Sequence, residues 1–172
     1  MRAPICAAIM VLAGTATQSA DALAARSGLP VPRYVSLKFA DVNGRKGPSQ
    51  QHPIVWRYLR AGLPVRVIAE TEGWTRIEDP DGARVWVASR MVTESRAVLI
   101  RKDRAGGAAL RARPDGDAAV RAVLQPGVVA SLEMCVRGWC QVAVARRRGW
   151  VTKTALWGVA ATGDDGRPAG EG

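Results

Sequence analysis

Two stretches of this chain, 65 residues apart, follow one plan. Residues 72–87 read EGWTRIEDPDGARVWV and residues 137–151 read RGWCQVAVARRRGWV. Each opens on Gly-Trp, runs through a short apolar alternation to a charged turn, and closes on Trp-Val. The match extends outward: Gly62 and Gly127, Gly73 and Gly138, Trp74 and Trp139, and Ile77 and Val142 are each 65 residues apart. Trp86 and Trp150 differ by 64, while Arg45 and Pro48 differ from Arg111 and Pro114 by 66. An offset drifting by one residue at a loop marks a duplicated unit, so the fold must be built twice from about 60 residues. That length is near the lower limit at which a unit buries its own core, so the copies are expected to dock.

Within a copy the pattern is strand-like. The runs YVSLKF, IVWRYL, VRVIAE, WTRIE and ARVWV are separated by the turn-rich stretches NGRKGPSQQHP, RAGLP and DPDG. Short runs alternating every second residue describe half-buried strands, and no later stretch sustains a helical period over ten residues. The expected fold is all-β: two tandem units at residues 34–95 and 96–157, each a small barrel or sandwich of about five strands with a short turn before the last. Residues 25–32 read as a loose lead-in. Residues 158–172 (GVAATGDDGRPAGEG) lack apolar anchors and are expected to be a disordered tail.

The N-terminus has its own logic. Met1-Arg2 precedes the apolar run at residues 3–13, and ADALAA at residues 20–25 offers small-x-small cleavage sites. Residues 1–24 therefore read as a signal peptide, with a retained amphipathic anchor as the alternative; the apolar run is too short to span a bilayer. Cleavage leaves 148 of 172 residues and places the mature chain in the periplasm or outside the cell. Cys6 lies inside the apolar run, not at its end, which argues against a lipoprotein anchor. Once the leader is gone, Cys135 and Cys140 remain, in CVRGWC. They flank a hairpin turn, and an oxidising compartment favours a disulfide between them. The closed loop is small, so its entropic contribution is about 2 kcal/mol. A CxxC redox site has two intervening residues where this motif has four, and zinc needs more ligands than the chain supplies.

Charge is uneven. Of the net +10, residues 36–95 carry nine Lys and Arg against seven acids (+2), while residues 96–157 carry twelve against four (+8). A basic face attracts nucleic acid, acidic lipid headgroups or the acidic polymers of a cell envelope, and export sets nucleic acid aside. The alternative is compositional: 21 of the 25 basic residues are Arg, which fits GC-rich coding with no functional demand. Catalytic constellations are thin. His52 is the sole histidine, and no Cys or Ser has a base to pair with. Glu78, Asp79 and Asp81 in EDPDG are turn chemistry, and AGGAA at residues 105–109 lacks the Lys-Ser/Thr of a phosphate loop. Neither catalysis, nor a metal site, nor a cofactor is expected.

The motifs have a family likeness. VNGRKGPS at residues 42–49 leads to a GLPV turn at residues 62–65, to Gly73-Trp74 with Ile77, and to Trp86-Val87. The second copy has Gly138-Trp139 with Val142, then Gly149-Trp150-Val151 and Leu156. In these features the sequence, from Ser36 to about Trp157, resembles bacterial SH3-like domains in tandem, as in short exported proteobacterial proteins. The resemblance implies SH3-like barrels that bind without catalysing, with cell-wall peptidoglycan or its peptide stems as the ligand class. The competing reading is an assembly module whose partner is another envelope protein. Two departures stand out. Val85 occupies the place of Gly149, and LRARPDG at residues 110–116 lacks the Asn and Gly of VNGRKGPS, so the second opening loop is expected to be rebuilt.

Candidate contacts follow from alternation. In IVWRYL, Trp56 and Tyr58 share one face while Arg57 takes the other; with Arg60 nearby, that face suits either a polymer groove or a filled core. Of Trp74, Trp86, Trp139 and Trp150, one of each pair is expected inward and the other half exposed, with all four in the core or between the copies as the alternative. The hairpin reading EDPDGAR in the first copy reads AVARRRG in the second, making Arg146, Arg147 and Arg148 the expected contact with an anionic partner or surface. Attraction between the acidic and basic hairpins is a further expectation.

Overall fold

The computed structural model describes residues 27–160, so the expected leader at residues 1–24 and most of the expected tail at residues 158–172 lie outside the described residues. The first copy contains β1 (Arg33–Leu37), β2 (Val42–Arg45), β3 (Ile54–Tyr58), β4 (Pro64–Thr71), β5 (Trp74–Glu78) and β6 (Arg84–Ala88). A 3-10 turn at Ser89–Met91 then leads to β7 (Val92–Thr93). The second copy repeats this with β8 (Ala97–Ile100), β9 (Ala108–Arg111), β10 (Val120–Leu124), β11 (Val129–Val136), β12 (Trp139–Val144) and β13 (Arg147–Thr152). It closes with a turn at Lys153–Ala155 and β14 (Leu156–Trp157). The sheets run β3-β2-β6-β5-β4-β1-β7 and β10-β9-β13-β12-β11-β8-β14, one order displaced by seven strands. All pairings are antiparallel, and the architecture is two SH3-like β-barrels.

Seven strands appear in each sheet where alternation pointed to about five. The extra ones have weak signatures: β2 is VNGR, broken by Asn and Gly, and β7 and β14 have two residues each, too few to show a period. Each barrel has its own core. Val35, Leu37, Val42, Val65, Val67, Ile77, Val85 and Val87 fill the first; Val98, Ile100, Leu110, Val142 and Val151 lead the second. β-branched residues dominate because they pack well on a pleated surface with little rotamer entropy to lose.

The four repeat tryptophans are not in these cores. Thr75 and Ile77 of β5 and Val85 and Val87 of β6 point inward, which turns Trp74 and Trp86 to the outer face, each half-buried. Trp139 and Trp150 repeat this outside Cys140, Val142 and Val151. The expectation of one inward tryptophan per pair is thereby corrected. Strand parity decides it, because the valines and isoleucine already occupy the inward positions.

The drift of the repeat offset from 65 to 64 falls in one hairpin. β5 and β6 share five residue pairs around the five-residue loop 79–83, whereas β12 and β13 share six around the two-residue loop Ala145-Arg146. The β11–β12 turn is likewise two residues, Arg137 and Gly138 at φ 48° and 82°, and positive values at both positions match the twist of the strands.

The two sequence departures turn out to be a single exchange. Gly44 in β2 lies under Val85 of β6, and a Cβ on it would stand 2.7 Å from the Val85 side chain. In the second barrel the sizes reverse: a Cβ on Gly149 of β13 would stand 2.7 Å from Leu110 of β9 and from the Arg111 carbonyl oxygen. Each barrel thus places one glycine at this crossing, on opposite strands, and the other strand supplies the side chain.

From Ser27 on, the lead-in is tied down. The Ser27 hydroxyl donates to Glu70 at 2.6 Å, Arg33 bridges to the same carboxylate at 2.6 Å, and Val31 packs on the first core. Order also passes Trp157: Gly158 is buried beside Ala97 at φ 101°, and Val159 packs on the second core, so the expected tail boundary at residue 158 falls too early. Only residues 94–96 join β7 to β8. The copies touch through the Tyr34 and Trp157 rings, edge to face at 5.2 Å, through Lys102 Nζ on both Asp81 carboxylate oxygens at 2.6–2.7 Å, and through Arg60, which donates to the Gly127 carbonyl at 3.2 Å.

A candidate binding cleft between the two barrels

These contacts leave a cleft of about 260 Å³ at the junction. One wall is the end of β3 and the segment after it, from Trp56 to Arg60. The 79–81 turn forms another wall, and Leu99, Lys102 and Gly127 of the second copy close it. A neighbouring hollow of about 220 Å³ shares Pro80, Leu99 and Lys102 and reaches Trp157. Concave sites that mix apolar side chains with a few polar groups at a domain junction are where ligands settle.

Trp56 and Tyr58 do share a face, with ring centroids 6.4 Å apart, but their situations differ. Trp56 is 48% exposed and forms the rim. Tyr58 is 4% exposed and belongs to the first core, with its hydroxyl donating to Asp79 Oδ2 at 3.1 Å. Asp79 Oδ1 in turn accepts the backbone N–H groups of Asp81 and Ala83 at 3.0 and 2.9 Å, which fixes the turn chemistry read in DPDG. Tyr58 therefore holds the cleft wall in shape. Burial, followed by the charge and hydrogen bond of Asp79 and the charge of Asp81, pushes its phenol far above the ordinary tyrosine range. Arg57, on the other face of β3, forms a two-pronged bridge to the exposed Asp41. That hydrogen bond holds the Asp41 carboxyl below its usual range.

Arg60 lies in the cleft as well, bonded to a carbonyl that leaves its charge uncompensated. Leu59, 71% exposed, Leu99 and Lys102 complete the lining and were missed in the sequence. Leu59 carries a faint signal as an apolar residue just outside a strand. Leu99 and Lys102 carry none, because they join the site only through docking.

Arg146, Arg147 and Arg148 sit elsewhere, on the β12–β13 hairpin, and do not line the cleft. Arg148 pairs with Glu133 at 2.8 Å. Arg147 donates to the Arg121 carbonyl at 3.1 Å, and Arg121 donates to the Arg148 carbonyl at 2.9 Å. The acidic and basic hairpins do not attract each other; Asp81 is taken by Lys102. Cys135 and Cys140 face each other directly across β11 and β12 and form the disulfide. His52 is exposed, and its carbonyl accepts from Arg45 at 2.7 Å. Among the described residues no group of three or more His, Cys, Asp or Glu is placed to hold a metal ion, and no helix is long and apolar enough to cross a membrane.

No curated protein matches the chain. Two solved structures, of NlpC2 and NlpC1 from Trichomonas vaginalis, align at 9% and 10% identity with TM-scores of 0.33 and 0.34. They cover 73% and 81% of this chain, which spans about half of theirs, 48% and 51%. Likeness at that level carries nothing about activity. The bacterial SH3 domain family, by contrast, matches twice, at residues 38–94 and 104–158, each match lying on one of the two barrels. With more than half of its length so matched, the chain belongs to the bacterial SH3 domain family.

Proposed function

We propose that this protein is a non-catalytic envelope binding module whose ligand is cell-wall peptidoglycan or its peptide stems, held in the cleft between the barrels. The observation that carries the proposal is the half-exposed Trp56 on the rim of a cleft that also presents Leu59 and Arg60. An aromatic face stacks on a sugar ring or an extended peptide, and Arg60 offers a fixed charge to a stem-peptide carboxylate. Family membership supports the class of ligand, and the disulfide is compatible with a location outside the cytoplasm.

The competing reading is an envelope protein packed on the same strand, favoured by Ile54 and Val55, which are exposed beside Trp56. Co-sedimentation with purified sacculi separates the two. Retention at high salt that Trp56→Ala weakens by about 30-fold, the loss of a well-packed tryptophan anchor, supports the wall site. Absence of retention at every salt concentration ends it.

A further inference from the structure

The second barrel carries a surface that the cleft does not use. Arg121 is the bulged residue of β10, where the register with β9 shifts between Val120 and Ala122. The bulge lets Arg121 reach the Arg148 carbonyl while its own carbonyl accepts from Arg147. Four exposed arginines, Arg121, Arg146, Arg147 and Arg148, are thereby neighbours at this hairpin, Arg121 through those bonds and the other three in sequence. Carbonyl partners do not neutralise charge. Among the described residues the cluster's only carboxylate is Glu133, on Arg148. Flanking Arg121 on the same strand, Val120 and Val123 are 51% and 54% exposed. The platform is stiff, with six ladder pairs between β12 and β13 and a disulfide across β11 and β12.

We propose that this face is a docking surface for an anionic lipid bilayer, with Arg121, Arg146 and Arg147 on headgroup phosphates and Val120 and Val123 entering the interface between headgroup and acyl chain. Charge complementarity names the partner, and the adjacent apolar pair favours a bilayer over a soluble polyanion, which offers no apolar phase. Glu133 restrains the site by occupying Arg148. The inference stands apart from the wall-binding proposal, since none of these residues lines the cleft.

The test is co-sedimentation of the full chain with equimolar phosphatidylglycerol–phosphatidylcholine vesicles, with pure phosphatidylcholine vesicles as control. Each basic residue near such a surface contributes about fivefold in affinity. Arg146→Gln with Arg147→Gln should weaken binding roughly 25-fold, whereas the matching double substitution to Lys retains most of it. Glu133→Gln should strengthen binding by about fivefold, a gain that damaged folding cannot produce. Val120→Ser with Val123→Ser should remove the binding that remains in high salt, and Trp56→Ala should change nothing. Inability to bind the anionic vesicles at low salt overturns the proposal. So does an unchanged Glu133→Gln variant. Retention on polyphosphate without vesicle binding also overturns it and identifies a soluble polyanion as the partner.

Discussion

The reversed glycines at the barrel crossings make a quantitative claim. If Gly149 is glycine because Leu110 fills the space above it, Gly149→Val should be severely destabilising. The added Cβ alone would approach Leu110 and the Arg111 carbonyl to 2.7 Å, and overpacking of that kind costs about 3 kcal/mol. Leu110 is fully buried, so Leu110→Gly alone should cost about 4 kcal/mol or more through its cavity. Combined, the two substitutions rebuild the arrangement of Gly44 and Val85. Leu110 and Gly149 give way to Gly and Val, the number of strand glycines is unchanged, and the core loses one carbon. That difference is worth about 1 kcal/mol. The double variant should therefore be more stable than either single one, with a coupling energy of at least about 4 kcal/mol. Urea unfolding followed by tryptophan fluorescence reads the four corners of the cycle. A double variant no more stable than Gly149→Val, or one carrying the plain sum of the two losses, would refute the reasoning.

Other outcomes follow from the same geometry. Tyr58→Phe should cost about 2 kcal/mol, because Asp79 keeps a buried carboxylate oxygen with one donor fewer. It should also flatten the alkaline limb. The folded phenol titrates above its unfolded value, so its contribution is complete below pH about 10 and declines by about 1.4 kcal/mol per pH unit above that. Equal slopes for wild type and variant between pH 9 and 11 in thermal or urea melts would contradict this. Replacing Cys135 and Cys140 together with Ser should lower stability by about 2 kcal/mol, since the bond closes a short loop. Urea melts of the oxidised protein and the variant check it, and identical midpoints would show that the ladder alone holds the hairpin.

Much of the fold was legible in the letters, for reasons of period. The duplication showed in the 64-to-66-residue offsets, and the strands showed wherever alternation ran for at least five residues. The tryptophan error was avoidable. Trp74 and Ile77 are three residues apart on one strand, so they must face opposite ways. Half of the site could be read: Trp56, Tyr58 and Arg60 sit on one short stretch, and alternation pairs the two rings. Alternation could not tell the rim ring from the core ring, because the difference lies in what covers each. Leu99, Lys102 and Gly127 enter only through the docking of Tyr34 on Trp157 and Lys102 on Asp81, contacts between residues far apart in the chain.

Sheets that end in free strands carry a hazard that the sheet order makes visible. β3 and β10 each have a partner on one side only, and both are rich in exposed apolar residues. Unpaired edges of this kind template the addition of strands from other molecules. Here an arginine interrupts each edge. Arg57 follows Ile54, Val55 and Trp56, bridged outward to Asp41, and Arg121 stands between Val120 and Val123 at a bulge that breaks the register. At the opposite ends, β7 and β14 are two residues long, too short to nucleate pairing. The two arginines thus act as gatekeepers of solubility, and replacing both with Val should make the chain prone to aggregate.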